Sequence, residues 1–139
     1  MSDYSYHYLL LSNHMMLQKK LYTSIKDSGL SIGQPKVLDY LREHDGSTQK
    51  ELALGCHIEP ATLTSLLGRM EKQHLIRRKN VGGNRRSLHV YLTKQGKEQA
   101  DLVLKAFYDL ENEIFEGISK EEREQFLETF TKIYDNMRK

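Results

Sequence analysis

The sequence lacks most of the features that mark membrane, secreted and fibrous proteins. Its 139 residues include one cysteine, two prolines and no tryptophan, and no apolar run is long enough to cross a bilayer. The lone Cys56 cannot form an internal disulfide, and the N-terminus has no basic segment followed by an apolar one, as a secretory signal would have. We therefore expect a single domain over residues 1–139, located in the cytoplasm and without a membrane partner.

The charged residues, by contrast, are abundant and unevenly distributed. Residues 69–97 hold nine lysines and arginines against Glu71 alone, a net charge of +8. The whole chain totals +2, so the remaining residues carry −6. Crowding like charges costs self-repulsion, and such a segment is usually kept because a polyanion docks there. The alternative interpretation is an ordinary solvated charged face.

The spacing of apolar residues predicts six helices. They run over about 4–26, 33–43, 49–54, 60–73 and 93–116, with the sixth following Ser119. We expect Gly29 to end the first helix and Gly55 the third. The residues of the fourth helix expected to be buried are Leu63, Leu66, Leu67 and Met70. Three helix starts carry a hydroxyl residue followed three positions later by Glu or Gln, the pattern of a capping box. These pairs are Ser31 with Gln34, Thr48 with Glu51, and Ser119 with Glu122. The first, fifth and sixth helices are more apolar than one small chain comfortably buries, so other elements or another chain must cover them.

Between the fourth and fifth helices the apolar period changes from helical to two. Leu88, Val90 and Leu92 fall on one face of a strand, residues 75–79 form its partner, and residues 80–84 supply a glycine-containing turn. Because two strands alone are marginally stable, this hairpin must pack on the helices. The predicted fold class is mainly α with a small β-hairpin.

A short helix, a turn, a second helix and a basic hairpin follow each other in the order of a winged helix-turn-helix. A helix fits the major groove of DNA, and arginines at a hairpin tip suit a narrow, electronegative minor groove. The predicted DNA contacts are Thr48, Gln49, Ala61, Thr62, Thr64, Ser65, Arg69, Lys72, Arg77, Arg85 and Arg86. The alternative is that the fourth helix is an ordinary surface helix.

Residues 30–97 resemble the MarR family of bacterial transcriptional regulators, and the flanking helices match the layout of that family. The resemblance lies in Gly29-Leu30-Ser31 with Gln34, TQKELA at 48–53, PATLT at 60–64, RMEK at 69–72, NRRS at 84–87, and Leu92-Thr93 with Gly96. Each piece is weak alone, whereas their order and spacing together are specific.

The resemblance implies a homodimer with one wing per subunit. Residues 31–97 would form the DNA-binding lobe, and residues 1–30 and 98–139 the interlocked dimerisation helices. A twofold dimer places two recognition helices about 34 Å apart and requires a pseudo-palindromic operator. Family members typically repress transcription, and many release DNA when a small aromatic effector binds. The function predicted is therefore that of a ligand-responsive repressor; a winged-helix module that binds protein without DNA specificity is the alternative.

The sequence departs from the family pattern at four positions. Asn84 and Gly68 stand where acidic residues are usual, so the wing loses partners for its arginines and the patch becomes more positive. His74 replaces a capping glycine, a position at which histidine tolerates positive φ better than most residues. Glu59 occupies the cap of the fourth helix, where it either caps inward or accepts from a cytosine amine.

Aromatic and methionine side chains suggest a pocket for a flat aromatic or lipophilic effector. The candidate lining residues are Tyr8, His14, Met15, Tyr22, Tyr40 and Phe107. The alternative, that these residues belong to the core and the dimer interface, is at least as well supported.

Neither the cysteine nor the histidines suggest a chemical sensor. Cys56 is predicted to lie in the turn between the third and fourth helices as a structural residue, because thiol-sensing members carry their cysteine near the start of the first helix. The six histidines lack metal-ligand spacing, and no catalytic motif is present. We therefore predict neither enzymatic activity, nor a metal, nor a cofactor.

Overall fold

The computed structural model describes residues 2–82 and 87–139, and within them it contains six α-helices and three short strands. The helices are α1 (Tyr6–Ser24), α2 (Gln34–Glu43), α3 (Gln49–Cys56), α4 (Pro60–Lys72), α5 (Lys94–Ile114) and α6 (Lys120–Met137). The strands are β1 (Ser47–Thr48), β2 (Ile76–Asn80) and β3 (Leu88–Leu92). The predicted fold class, mainly α with a small β wing, is confirmed.

The helix starts follow the capping prediction at α3 and α6. Thr48 Oγ1 accepts the backbone N–H of Glu51 at 3.1 Å, and Ser119 Oγ accepts that of Glu122 at 3.1 Å. Thr93 Oγ1 likewise accepts the N–H of Gly96 at 2.9 Å at the start of α5. These hydroxyls satisfy N–H groups that have no partner inside their helices.

The prediction that Ser31 caps the second helix is wrong. Helix α2 begins after Gly33, whose left-handed backbone (φ 92°) places the Ser31 carbonyl on the N–H of Gln34 at 3.1 Å. The Ser31 carbonyl thus takes the place of the Ser31 hydroxyl as the acceptor at the start of α2. Only the glutamine half of the box forms, because Gln34 Oε1 accepts the N–H of Ser31 at 3.1 Å.

Neither of the two glycines that were predicted to end helices does so. Helix α1 ends at Ser24, and Gly29 (φ 80°) closes the 3-10 turn Lys26–Ser28 that follows. Helix α3 runs through Gly55 to Cys56 and ends at His57 in the left-handed conformation (φ 54°). Gly55 is needed for packing, since a methyl group there would collide with the ring of Tyr40.

The strands form an antiparallel sheet in the order β1-β3-β2. Strand β3 pairs Val90 with Ser47 on one side and Leu92 with Ile76 on the other. Strand β1 was not predicted, because two residues are too few to show a period. It matters nonetheless: it joins the hairpin to the residues leading into α3, which gives the hairpin the third strand it needs.

Residues 1–107 form one compact unit whose core lies between α2, α3, α4, the sheet and the start of α5. The four α4 residues predicted to face inward are all buried: Leu63, Leu66, Leu67 and Met70. One buried polar side chain, Gln34, donates through Nε2 to Gln73 Oε1 at 2.8 Å, linking the start of α2 to the end of α4.

Residues 108–139 form a second compact unit, made of the end of α5 and all of α6. Phe126 contacts Phe115 and Phe130 at ring-centroid distances of 6.3 and 5.3 Å, and the Arg123 guanidinium lies 4.3 Å from the Phe115 ring. Among the helices described in both units, none has the length and apolarity needed to cross a membrane.

Candidate nucleic-acid interface

Helix α4 has two chemically distinct faces. Its leucines and Met70 point into the core, while the opposite face is open to solvent. The predicted DNA contacts on this helix are all exposed: Ala61, Thr62, Thr64, Ser65, Arg69 and Lys72. Thr64 Oγ1 donates to the Pro60 carbonyl at 3.0 Å, so its oxygen is left to accept. The face is therefore small and hydroxylated at its start and cationic at its end.

The start of α3 supplies the next two predicted contacts. Thr48 and Gln49 are half-buried. The cap bond uses a lone pair of Thr48 Oγ1 and leaves its proton available to donate. Gln49 Oε1 accepts from Arg78 Nη1 at 3.4 Å, so this amide already has a partner on β2.

The two adjacent arginines of β2 lie in different surroundings. Arg77 is exposed, whereas Arg78 is half-buried and pairs with Glu71 of α4, Nη2 to Oε1, at 3.1 Å. This hydrogen-bonded guanidinium holds the pKa of Glu71 below its ordinary value. Sequence reasoning counted Arg78 only as part of the basic segment and missed its internal role. The available signal was Glu71 itself, the one acidic residue of that segment.

The predicted contacts at the tip of the wing lie outside the described residues. They are Arg85 and Arg86, which were predicted to enter the minor groove, and Asn84 beside them is not described either. On the described part of the wing, Lys79 Nζ lies 5.5 Å from the centroid of the Tyr91 ring, a cation–π arrangement that keeps this ammonium over β3.

Two departures from the family pattern can be followed in the structure. His74 adopts the predicted positive φ (61°), and its carbonyl accepts from Thr93 Oγ1 at 2.6 Å. Glu59 is the N-cap residue of α4, but within the described chain its side chain makes no capping hydrogen bond. The inward-capping alternative for Glu59 is therefore wrong, and the side chain is exposed to solvent.

The six candidate effector residues lie in different surroundings. Tyr8 stacks on Tyr4 at 5.1 Å, and His14 and Met15 are exposed on α1. The other three, Tyr22, Tyr40 and Phe107, are half-buried.

Two of these half-buried residues already have internal partners. Tyr22 accepts the N–H of Gly33 at 2.9 Å through its hydroxyl, and burial raises its pKa. Tyr40 stacks on His44 at 4.2 Å. None of the six lines the groove of about 660 Å³ between the end of α3 and the start of α4, whose walls include Leu54, Ile58 and Leu63.

Cys56 belongs to the core. It is the last residue of α3 rather than part of a turn, and only 1% of its surface is exposed. Burial raises the pKa of its thiol to about 11, so the reactive thiolate is scarce at neutral pH. Within the described residues, no group of three or more His, Cys, Asp or Glu side chains is arranged to hold a metal ion.

Comparison with known proteins supports the same fold and family. The model of the MarR family matches residues 28–87. The organic hydroperoxide resistance transcriptional regulator of Bacillus subtilis (strain 168) is 28% identical over 127 residues, covering 91% of this chain and 83% of the relative. Two solved structures cover nearly the whole chain. The transcriptional regulator PA3341 has a TM-score of 0.87 at 28% identity, covering 96% of this chain and 98% of that one. The S. aureus MepR–DNA complex has a TM-score of 0.87 at 24% identity, with coverages of 97% and 99%.

The fold and the two-faced α4 define a winged helix-turn-helix protein. The prediction that the chain resembles the MarR family is confirmed, since the model of that family matches residues 28–87. The proteins it matches are transcription regulators, which confirms the prediction that it is not an enzyme.

Proposed function

We propose that this MarR-family transcriptional regulator binds operator DNA as a homodimer in the cytoplasm, and that it acts as a repressor released by a small aromatic or lipophilic ligand. The observation that carries the DNA-binding part is the exposed face of α4, on which six predicted contacts lie together opposite four buried apolar residues. A helix held this way can enter a groove without exposing its apolar side.

The order of side chains along α4 suits the geometry of a groove. The helix has 13 residues, a length of about 20 Å. Ala61, Thr62 and Ser65 are small enough to let the backbone approach base edges, and hydroxyls can meet bases or phosphates. Arg69 and Lys72 follow at the end, where Arg69 can form a bidentate contact with guanine or a phosphate. We propose that Glu59, ahead of the helix, accepts from a cytosine amine.

The proposed DNA contacts continue from α4 onto α3 and β2. Thr48 and Gln49 open α3, which in helix-turn-helix proteins crosses the DNA backbone, and Arg77 adds an exposed cation from β2. We propose that Arg85 and Arg86 extend this surface into the minor groove. Together these residues would form one continuous surface for a single half-site.

Dimerisation is supported by apolar side chains that the single chain leaves exposed. Helix α1 buries Leu21 alone, and α6 buries no residue. Exposed apolar residues on the two helices are Tyr6, Tyr8, Leu9, Leu10, Leu11, Met15, Met16, Phe126, Leu127, Tyr134 and Met137. Exposed apolar surface of this extent marks an interaction site. We propose that residues 1–30 and 98–139 pair with a second copy while residues 31–97 bind DNA.

The effector proposal depends on α1, α2 and α5. Tyr8, His14 and Met15 are exposed on α1, and Tyr22 is half-buried on the same helix. Tyr40 on α2 and Phe107 on α5 are also half-buried. Aromatic rings and a thioether suit a flat, apolar ligand. A ligand there would act by favouring a dimer whose two α4 helices no longer match the spacing of the operator half-sites.

The test begins with a duplex selected by the protein from a random library. Arg69→Ala should weaken binding to that duplex about 5- to 150-fold, the cost of a lost base or phosphate contact. Lys36→Ala, which removes an exposed cation of α2 that is not among the predicted contacts, is the matched control and should bind like the parent. Arg85→Ala should weaken binding as Arg69→Ala does. Fluorescence anisotropy gives the affinities, and thermal unfolding checks that each variant is folded.

The dependence on salt separates the proposal from the alternative of a protein-binding module. A regulator that neutralises phosphates loses affinity steeply as salt rises, because each contact releases counterions. Unchanged binding for both arginine variants, or an affinity indifferent to salt, would contradict the assignment of this face to DNA.

A further inference from the structure

The guanidinium of Arg78 joins three elements of the winged-helix lobe. Its Nη2 lies 3.1 Å from Glu71 Oε1 and its Nε 3.5 Å from Glu71 Oε2, while Nη1 donates to Gln49 Oε1 at 3.4 Å. Glu71 lies on α4, Gln49 opens α3, and Arg78 itself is on β2. One half-buried cation therefore contacts both helices of the helix-turn-helix.

The chemistry of this contact fixes the orientation of the Gln49 amide. A guanidinium has five N–H donors and no acceptor, so only the oxygen of the amide can face it. The flipped amide would set donors against donors beside a positive charge. With Oε1 turned toward Arg78, the two N–H donors of Nε2 are the groups of Gln49 that face away from the guanidinium.

A glutamine in this state is poorly placed to read adenine. The bidentate glutamine–adenine pair needs the amide oxygen to accept from N6 and the amide nitrogen to donate to N7. At Gln49 the oxygen is turned toward the guanidinium of Arg78 and already accepts from it, so the donor half of that pair is the more available one. A lone donor suits a phosphate oxygen, and phosphates are what the helix preceding a recognition helix meets on duplex DNA.

The charge of Arg78 is already matched inside the protein. Glu71 pairs with it through both carboxylate oxygens, and the lowered pKa of Glu71 keeps that carboxylate ionised at neutral pH. Arg69, Lys72 and Arg77, in contrast, are exposed. Among the cations of α4 and β2, Arg78 is thus poorly suited to neutralise a phosphate directly.

We propose that Arg78 is a positioning residue that commits Gln49 to donate a hydrogen bond to a phosphate oxygen of the DNA backbone. Gln49 then sets the register of the lobe on the duplex and carries no sequence information. This inference rests on the proposed DNA-binding function and names what one of its contacts recognises.

The experiment measures binding to two duplexes of about 30 base pairs, long enough for two half-sites one turn apart. One is selected from a random library and the other is its scrambled counterpart. Gln49→Ala should weaken binding to both by the same factor, about tenfold for a lost hydrogen bond to a charged group. A loss confined to the selected duplex would overturn the proposal, because it would show that Gln49 reads a base.

A double-mutant cycle tests whether Arg78 acts through Gln49. The paired variant Glu71→Gln with Arg78→Met removes the guanidinium at constant net charge. It should weaken both duplexes and leave the salt slope unchanged, and adding Gln49→Ala should cause no further loss of the Gln49 contact. Additive losses, or a salt slope smaller by about 0.9 as for one phosphate contact, would overturn the role of Arg78.

Two controls keep the outcomes distinct. If the paired variant fails to fold, Gln49→Glu replaces it: Arg78 would hold the new carboxylate, no donor would remain, and binding to both duplexes should fall at least as far as for Gln49→Ala. Undiminished binding of Gln49→Glu would overturn the proposal. A parent protein that binds neither duplex at about 50 mM salt would instead contradict the proposed function itself.

Discussion

The same kinds of apolar side chain are buried in the core around α4 and exposed on the terminal helices α1 and α6. In α4 every inward-facing leucine is buried, and α2, α3 and the sheet close over them. Helix α1 buries only Leu21 and α6 buries nothing, although both are rich in leucine, methionine and aromatic residues. The contrast teaches that the winged-helix lobe closes its core within one chain, while α1 and α6 leave most of their apolar side chains exposed.

The largest expected effect compares two leucines of the lobe. Leu67 on α4 is fully buried, and Leu67→Ala should lower the free energy of unfolding by about 2–5 kcal/mol through lost contacts and a cavity. Leu54 on α3 is 68% exposed, and Leu54→Ala should change it by less than about 0.5 kcal/mol. Urea unfolding followed by circular dichroism gives both values. Equal losses would show that Leu54 is covered in solution.

The next prediction concerns the exposed apolar surface of α6. Leu127 on α6 is exposed in the single chain, and a dimer that buries it should lose about 1.5–3 kcal/mol of association free energy when its apolar contact is removed. Leu127→Asp should therefore shift the protein toward monomer in sedimentation velocity runs. Leu54→Asp places the same charge on the lobe and should leave the oligomeric state unchanged. Were both variants to behave like the parent, α6 would not be a dimer surface.

Two helical glycines of the lobe should respond to substitution by alanine in opposite ways. A methyl group at Gly55 would meet the Tyr40 ring, so Gly55→Ala should destabilise the fold by about 1–3 kcal/mol. Gly68 on the open face of α4 has nothing near its added Cβ, and Gly68→Ala should stabilise by about 0.5–1 kcal/mol. Thermal and urea unfolding measure both changes. The same sign for the two variants would contradict the packing of Tyr40 on α3.

The smallest effect is a pH dependence from Cys56. Its folded-state pKa of about 11 lies above the ordinary value of about 8.5, so its stabilising contribution is complete below pH 8.5 and declines as the pH rises toward 11. Cys56→Ala should lack this part of the alkaline decline. At pH 8 the native thiol should not react with Ellman's reagent until urea unfolds the chain, whereas rapid labelling of the native protein would show an open core.

Much of the fold follows from local pattern. The four buried residues of α4, the capping hydroxyls of Thr48 and Ser119, and the hairpin period could be predicted because each depends on residues a few positions apart. The exposed face of α4 followed from the same period. Strand β1, by contrast, is two residues long, and its pairing with β3 spans more than forty positions.

The errors share a physical cause. Gly55 was expected to end α3 because glycine usually ends helices, but the nearby ring of Tyr40 on α2 decides its role. Ser31 has a capping pattern, yet the left-handed backbone of Gly33 places a carbonyl where the hydroxyl was expected. In both places a contact or conformation outside the motif outweighed the local preference.

The sequence by itself determined the order of helices and wing, the faces of α4 and the cationic character of residues 69–97, since periodicity and charge are properties of the chain. Only the tertiary structure decided which of these cations are exposed and which are paired inside the protein. Arg77 and Arg78 are adjacent and chemically identical, but they point to opposite sides of β2, so one is exposed while the other pairs with Glu71 and Gln49. The alternation of β2 separates the two side chains, but which of them meets Glu71 and Gln49 depends on how β2 packs against α3 and α4.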